Sequence, residues 1–108
     1  MTAAEWFAAR IILQSFHDDG GEGLIESRII LVRAASEAEA RSRAEALARD
    51  SAHEYQNADG GRVRSDFREV LDIKPLWLDS IGEGSEVYWE FLREDELKQI
   101  RRIVKSNL

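Results

Sequence analysis

The chain has 108 residues, with 15 basic and 21 acidic side chains, a net charge of −6 and no cysteine. The acidic balance argues against a whole-domain electrostatic attraction to nucleic acid or anionic lipid. The absence of cysteine excludes disulfides, thiolate catalysis and cysteine-held metals. With 44% hydrophobic and 33% charged residues, the composition predicts a globular chain, sized for a single domain over residues 1–108.

Residues 5–16 place Phe7, Ala9, Ile11 and Leu13 on one side and Trp6, Arg10, Ile12, Gln14 and Phe16 on the other. This alternation predicts a strand with one buried face and a second, partly apolar one. The string His17-Asp-Asp-Gly-Gly-Glu-Gly23 predicts a turn, because its glycines supply positive φ and its aspartates cap. Residues 24–33 follow as a second strand, with Ile25, Ile29 and Leu31 on one side and Glu26, Arg28, Ile30 and Val32 on the other. The two segments predict a β-hairpin.

Ser36-x-x-Glu39 has the spacing of a capping box and opens a helix reaching to about residue 52. Ala40, Ala44, Leu47, Ala48 and Ser51 form one stripe of it. Its small side chains predict close packing on the sheet face that carries Ile11, Ile29 and Phe67. The opposite face, including Arg41, Glu45 and Arg49, reads as solvated. Residues 53–57 predict a short strand, and Ala58-Asp-Gly-Gly61 a turn. Residues 62–74 predict the longest strand, with Val63, Phe67, Leu71 and Ile73 opposed to Arg64, Asp66, Arg68 and Asp72, and Pro75 ending it.

Residues 76–85 read as a loop, and 86–92 have the alternation of a fifth strand. Residues 94–106 predict a helix whose acidic first turn and basic later turns match the macrodipole, with a seam of Leu97, Ile100, Ile103 and Val104. The order predicts an α+β two-layer sandwich: a β-β-α-β-β core with an antiparallel sheet, one crossover helix and a C-terminal (β)-α segment, 93–108 being a helical extension. The longest purely apolar run, residues 29–32, is far too short to span a bilayer. The opening Met1-Thr-Ala-Ala-Glu-Trp-Phe lacks the basic region of a signal peptide. A soluble cytoplasmic protein without a membrane partner is the expectation.

Four strings, taken in order, resemble an uncharacterised bacterial family, domain of unknown function 4288. They are Trp6-Phe-Ala-Ala-Arg10; Glu26 to Val32, running into Arg33-Ala-Ala-Ser36; Glu54-Tyr55-x-Asn57-x-x-Gly60 with Val63, Phe67 and Val70-Leu-Asp72; and Glu86-Val-Tyr88 with Phe91. The resemblance covers about residues 5–92. It implies a small bacterial α+β protein and supplies no activity, cofactor or catalytic residue.

Candidate chemistry is sparse. His17 beside Asp18 and Asp19 could offer nitrogen and oxygen to a metal, but adjacent residues in a glycine-rich turn do not converge unaided, so a solvated turn is expected. His53, at a helix-to-strand junction, suits a helix C-terminus. Hydrolase, phosphate-loop, zinc-protease and dinucleotide signatures are missing, and no catalytic residue, metal or cofactor is expected. Lys98, Arg101, Arg102 and Lys105 lack interleaved aromatics, so they predict dipole matching rather than nucleic-acid contact.

The sheet face away from the helix draws more interest. It is expected to carry Arg10, Glu26, Arg28, Arg64, Asp66 and Arg68 together with Trp6, Ile12, Ile30, Val32 and Val70. That apolar surplus needs a cover, whether residues 86–105, a second subunit or a ligand. The leading expectation is a non-enzymatic interaction module forming a homodimer, or engaging another protein, through Trp6, Ile12, Ile30, Val32 and Trp89. The alternative is a small-molecule-binding protein or small enzyme using Arg10, Arg28, Tyr55 and Asn57 at the sheet end.

Overall fold

Among the described residues, four strands and two helices follow one another as β1 (Glu5–His17), β2 (Glu22–Ala34), α1 (Glu37–Asp50), β3 (His53–Gln56), β4 (Arg62–Leu76) and α2 (Glu94–Ser106). The computed structural model describes residues 5–51, 53–56, 60–77 and 80–106, without the side chains of Glu22 and 53–56. The strands form one antiparallel sheet in the order β2-β1-β4-β3, with α1 on one face. This is the α+β two-layer arrangement that the element order predicts. No helix among the described residues is long and apolar enough to cross a membrane.

The hairpin is tighter than its composition suggests. Both strands run on past the expected bounds, leaving residues 18–21 as the turn. Gly20 takes a φ of +85° there, a conformation that favours glycine. Asp19 Oδ1 accepts from the Gly21 amide at 2.8 Å, and Asp18 Oδ2 accepts from the Arg62 amide at 3.2 Å, tying the turn to β4. These carboxylates beside His17 are engaged as backbone caps.

Helix α1 begins at the expected cap: Ser36 Oγ accepts from the Glu39 amide, and the Glu39 carboxylate reaches back to the Ala35 amide. Ala40, Ala44 and Ala48 are buried, while Leu47 is exposed. Beneath them lie Phe7, Ala9, Ile11 and Leu13 of β1, Val32 and Ala34 of β2, and Val70 and Ile73 of β4. Arg41 is not merely solvated, because its guanidinium donates to the Val70 carbonyl at 3.2 Å. Arg49 covers the Phe67 ring.

Two assignments of side differ from the expectation. In β2 the even positions face α1: Val32 pairs with Phe7 and Ile30 with Ala9, whereas Ile29 pairs with Arg10 on the other face. Ile30 and Val32 therefore pack in the helix-side core, and Ile29 does not. In β4 the register against β1 shifts between Arg10 and Ile11 and again between Ile12 and Leu13. Each bulge adds a residue and reverses the parity beyond it. As a result Val70 is buried under α1 and Leu71 is exposed.

Pro75 does not end β4; it pairs with Phe7, and the strand continues to Leu76. Strand β3 pairs only with residues 62–65, so among the described residues the flank of β4 around Pro75 has no ladder partner to be deprived of an amide. Residues 86–92 form no strand, and they cross the sheet as an irregular strap. Asn57, Ala58 and Asp59, with the turn expected there, lie outside the described residues.

Candidate functional site

Polar side chains that the sequence scatters over four segments converge where the strap crosses the face away from α1. The strap is set by a turn at 82–85, in which the Ser85 amide donates to the Gly82 carbonyl and Gly84 takes a φ of +84°. Beyond it, Tyr88, Trp89 and Glu90 each reach the sheet. The Trp89 indole N–H donates to the Pro75 carbonyl at 3.2 Å, and Lys74 Nζ lies 4.5 Å from the ring centroid. The Tyr88 hydroxyl donates to Asp72 at 3.3 Å and lies 3.5 Å from Glu90. Glu90 also pairs with Arg10 at 3.7 Å, and Arg10 Nε donates to Ser27 Oγ at 2.9 Å. Lys74 completes the cluster 3.6 Å from Asp72. Ala8, Ile12 and Leu76 are buried on this face.

The chemistry of the cluster is that of a fastening. Its two cations and two carboxylates balance. Burial raises the Tyr88 pKa; the Arg10 hydrogen bond opposes that rise, and the carboxylates of Glu90 and Asp72 add to it. A phenol held protonated is a hydrogen-bond donor rather than a base or nucleophile. Past the strap, α2 stands off the sheet. A groove of about 370 Å³ separates Ile100 and Ile103 of α2 from Ile29 and Ser27 of β2, and none of the described residues of α2 is buried.

A second groove, of about 580 Å³, lies on the α1 face toward the hairpin end and is lined by Leu13, Ser15, Leu24, Ile25, Arg28 and Ser65, among others. Arg28 and Glu26 meet there at 2.8 Å. Gly23 permits a close approach of the hairpin strands beside it: a Cβ at this position would sit 2.8 Å from the Ser15 carbonyl oxygen.

The candidate binding residues are therefore not brought together. Arg10 lies under the strap and Arg28 on the α1 face, the two alternating across β1 and β2. Tyr55 pairs with Val63 in the β3–β4 register, but its side chain, like all of Asn57, lies outside the description. Among the candidate interface residues, Trp6 and Ile12 do lie on the face away from α1, where Arg33 stacks over Trp6, and Trp89 belongs to the strap. Ile30 and Val32 belong to the opposite face. Sequence reasoning missed Asp72, Tyr88 and Glu90 as a cluster. The one signal for them was the alternation of 86–92, which places Tyr88 and Glu90 on one side.

No curated protein and no solved structure matches the chain. The family described as Domain of unknown function (DUF4288) matches residues 6–89, from Trp6 of β1 through Trp89 of the strap. The match takes in all of the sheet but Glu5, together with α1 and the strap's anchor on Pro75, and leaves α2 outside, and by this extent the chain belongs to the family of domain of unknown function 4288.

Proposed function

We propose that this chain is a non-enzymatic interaction module that self-associates as a homodimer in the bacterial cytoplasm. The observation that carries this reading is the apolar surface left in solvent along the β2 edge and the C-terminal segment. Leu24, Ile25, Trp77, Phe91 and Ile103 are all more than half exposed. Single exposed apolar residues are ordinary, but grouped ones mark association surfaces. A cysteine-free chain needs no oxidising compartment, which supports the cytoplasmic setting.

Sedimentation velocity of the purified chain across micromolar concentrations tests the reading. A species of twice 12.3 kDa is expected. A monomer at every concentration overturns it.

The groove beside the Glu26–Arg28 pair supports a second reading, a small-molecule-binding protein or small enzyme. Its volume falls within the roughly 300–1,000 Å³ of ligand sites, and it combines an apolar lining with one charged pair. An Arg28→Ala chain that loses every hit of a thermal-shift metabolite screen would favour this reading; a screen without hits would reject it.

A further inference from the structure

We propose that the second copy joins this module edge to edge along β2, about a two-fold axis at Ser27, so that two four-stranded sheets become one of eight. The inference rests on the self-association proposed above and assigns its site. Among the described strands β2 has a neighbour, β1, on one side only, and it presents thirteen residues along the other. Exposed edges are ordinarily blunted by charged side chains, proline or a bulge turned away. The irregularity of β2 against β1 is confined to its hairpin end, between Glu22 and Ile25, where Leu24 is 83% exposed, and beyond it the edge leaves Ile25 at 57% and Ile29 at 39% exposure. Between them stands the triplet Glu26-Ser27-Arg28.

The triplet is self-complementary. In an antiparallel pairing about Ser27, Ser27 faces its own copy and Glu26 faces the partner's Arg28. Ile25 then faces the partner's Ile29, and Leu24 the partner's Ile30. Within residues 24–30 each charge meets its opposite and each apolar residue another, while Leu31 faces Gly23 and Val32 faces Glu22 beyond them. Moving the axis to Arg28 sets two arginines against each other and Glu26 against Ile30; moving it to Glu26 sets two carboxylates together and Leu24 against Arg28. Like charges directly opposite destabilise a sheet, so the charge pattern selects one register. The same pairing keeps both copies of α1 on one side of the joint sheet.

The strap supports this axis. Arg10, held by Glu90, donates to Ser27 Oγ and fixes the residue through which the two-fold passes. Ile29 also lines the groove beneath Ile100 and Ile103, and the pairing sets the partner's Ile25 beside Ile29 at the outer lip of that groove. An edge that looks unfinished in one copy is thereby closed by the same edge of another.

The chain's lack of cysteine makes the test clean. Facing residues of antiparallel strands have Cα atoms about 4.5–5.5 Å apart, within disulfide range. Ser27→Cys should therefore give a covalent dimer on mild copper–phenanthroline oxidation, each new bond passing two electrons and two protons to the oxidant. Arg33→Cys, whose copies would stand about 40 Å apart in this register, should not. Glu26→Arg, at an exposed position, and Arg28→Glu, at a half-buried one, should each weaken self-association by on the order of tenfold, and an equimolar mixture of the two should restore it. A wild-type monomer in sedimentation overturns the self-association reading and this one together. A wild-type dimer whose Ser27→Cys form cross-links no faster than Arg33→Cys overturns the Ser27 register alone.

Discussion

The two faces of the sheet are built from the same strands by opposite means. Under α1, apolar side chains from three strands meet a helix whose buried residues are all alanines, so that helix and sheet can approach closely. Under the strap, cover comes from irregular backbone held by single polar contacts, one indole on a carbonyl, one phenol on a carboxylate and one guanidinium between Glu90 and Ser27. The first face gains its stability from area removed from water. The second gains less from area and is fastened at points. One consequence is that loss of a side chain should be felt fully on the α1 face and partly absorbed under the strap.

Ile11 and Ile12 put this difference to the sharpest test, being adjacent in sequence and on opposite faces. Ile11 is 1% exposed within the α1 core and Ile12 9% exposed on the strap side. Truncation to alanine costs more where the surroundings cannot collapse into the hole. Chemical denaturation should therefore give about 4–5 kcal/mol for Ile11→Ala and nearer 2 for Ile12→Ala. Equal losses would mean that the strap is as rigid a cover as α1. Overpacking probes the same face from the helix side. Ala44 is fully buried, and Ala44→Phe should cost roughly 1–3 kcal/mol in a thermal melt; no loss would mean that α1 does not lie as closely as its alanines imply.

Trp89→Phe asks what one fastening contributes. It removes the indole donor to Pro75 while keeping an aromatic ring near Lys74. A loss of about 0.5–1.5 kcal/mol is expected, with amide exchange slowed or quickened only in the strap and not beneath α1. Faster exchange under α1 as well would show that the two faces unfold as one unit.

The same contrast explains what could be read from the sequence. The α1 side was legible because its signals are local: a capping box at Ser36 and Glu39, an alanine stripe, and strand alternation in β1. Its errors arise where a non-local fact decides. Both faces of β2 carry apolar residues, since Ile30 and Val32 serve α1 while Ile29 faces the α2 groove, so alternation found the two sides without telling which was which. In β4, two bulges against β1 shift the count, which no period-two pattern contains. Pro75 misled for a similar reason, since a proline is tolerated where no strand claims its amide, and only the topology shows how short β3 is. Of the strap cluster little was legible. Arg10, Asp72 and Glu90 are far apart in sequence and of commonplace type, and nothing but the path of the chain brings them to Tyr88. The candidate set of Arg10 and Arg28 failed on parity, being split across the sheet.

The smallest expected effect belongs to the Tyr88 hydroxyl. At 3.3 and 3.5 Å from its two carboxylates, it makes longer hydrogen bonds than the roughly 2.7–2.8 Å usual between oxygens, so each is weak. Its titration nevertheless separates the fastening from plain packing. Burial, first of all, raises the phenol's pKa in the folded chain, and the neighbouring carboxylates add to this against Arg10. A group whose folded pKa lies above its unfolded value near 10 contributes stability that is whole below that pH and is lost as pH climbs through the folded pKa. Denaturation midpoints of the wild type should thus fall relative to Tyr88→Phe as pH rises beyond about 10, whereas at neutral pH the two should differ by no more than one weak hydrogen bond. Taking the difference between the two chains cancels every contribution they share. An alkaline loss identical in the two chains would mean that the phenol packs without fastening, and that the strap rests on Trp89 and the Arg10–Glu90 pair alone.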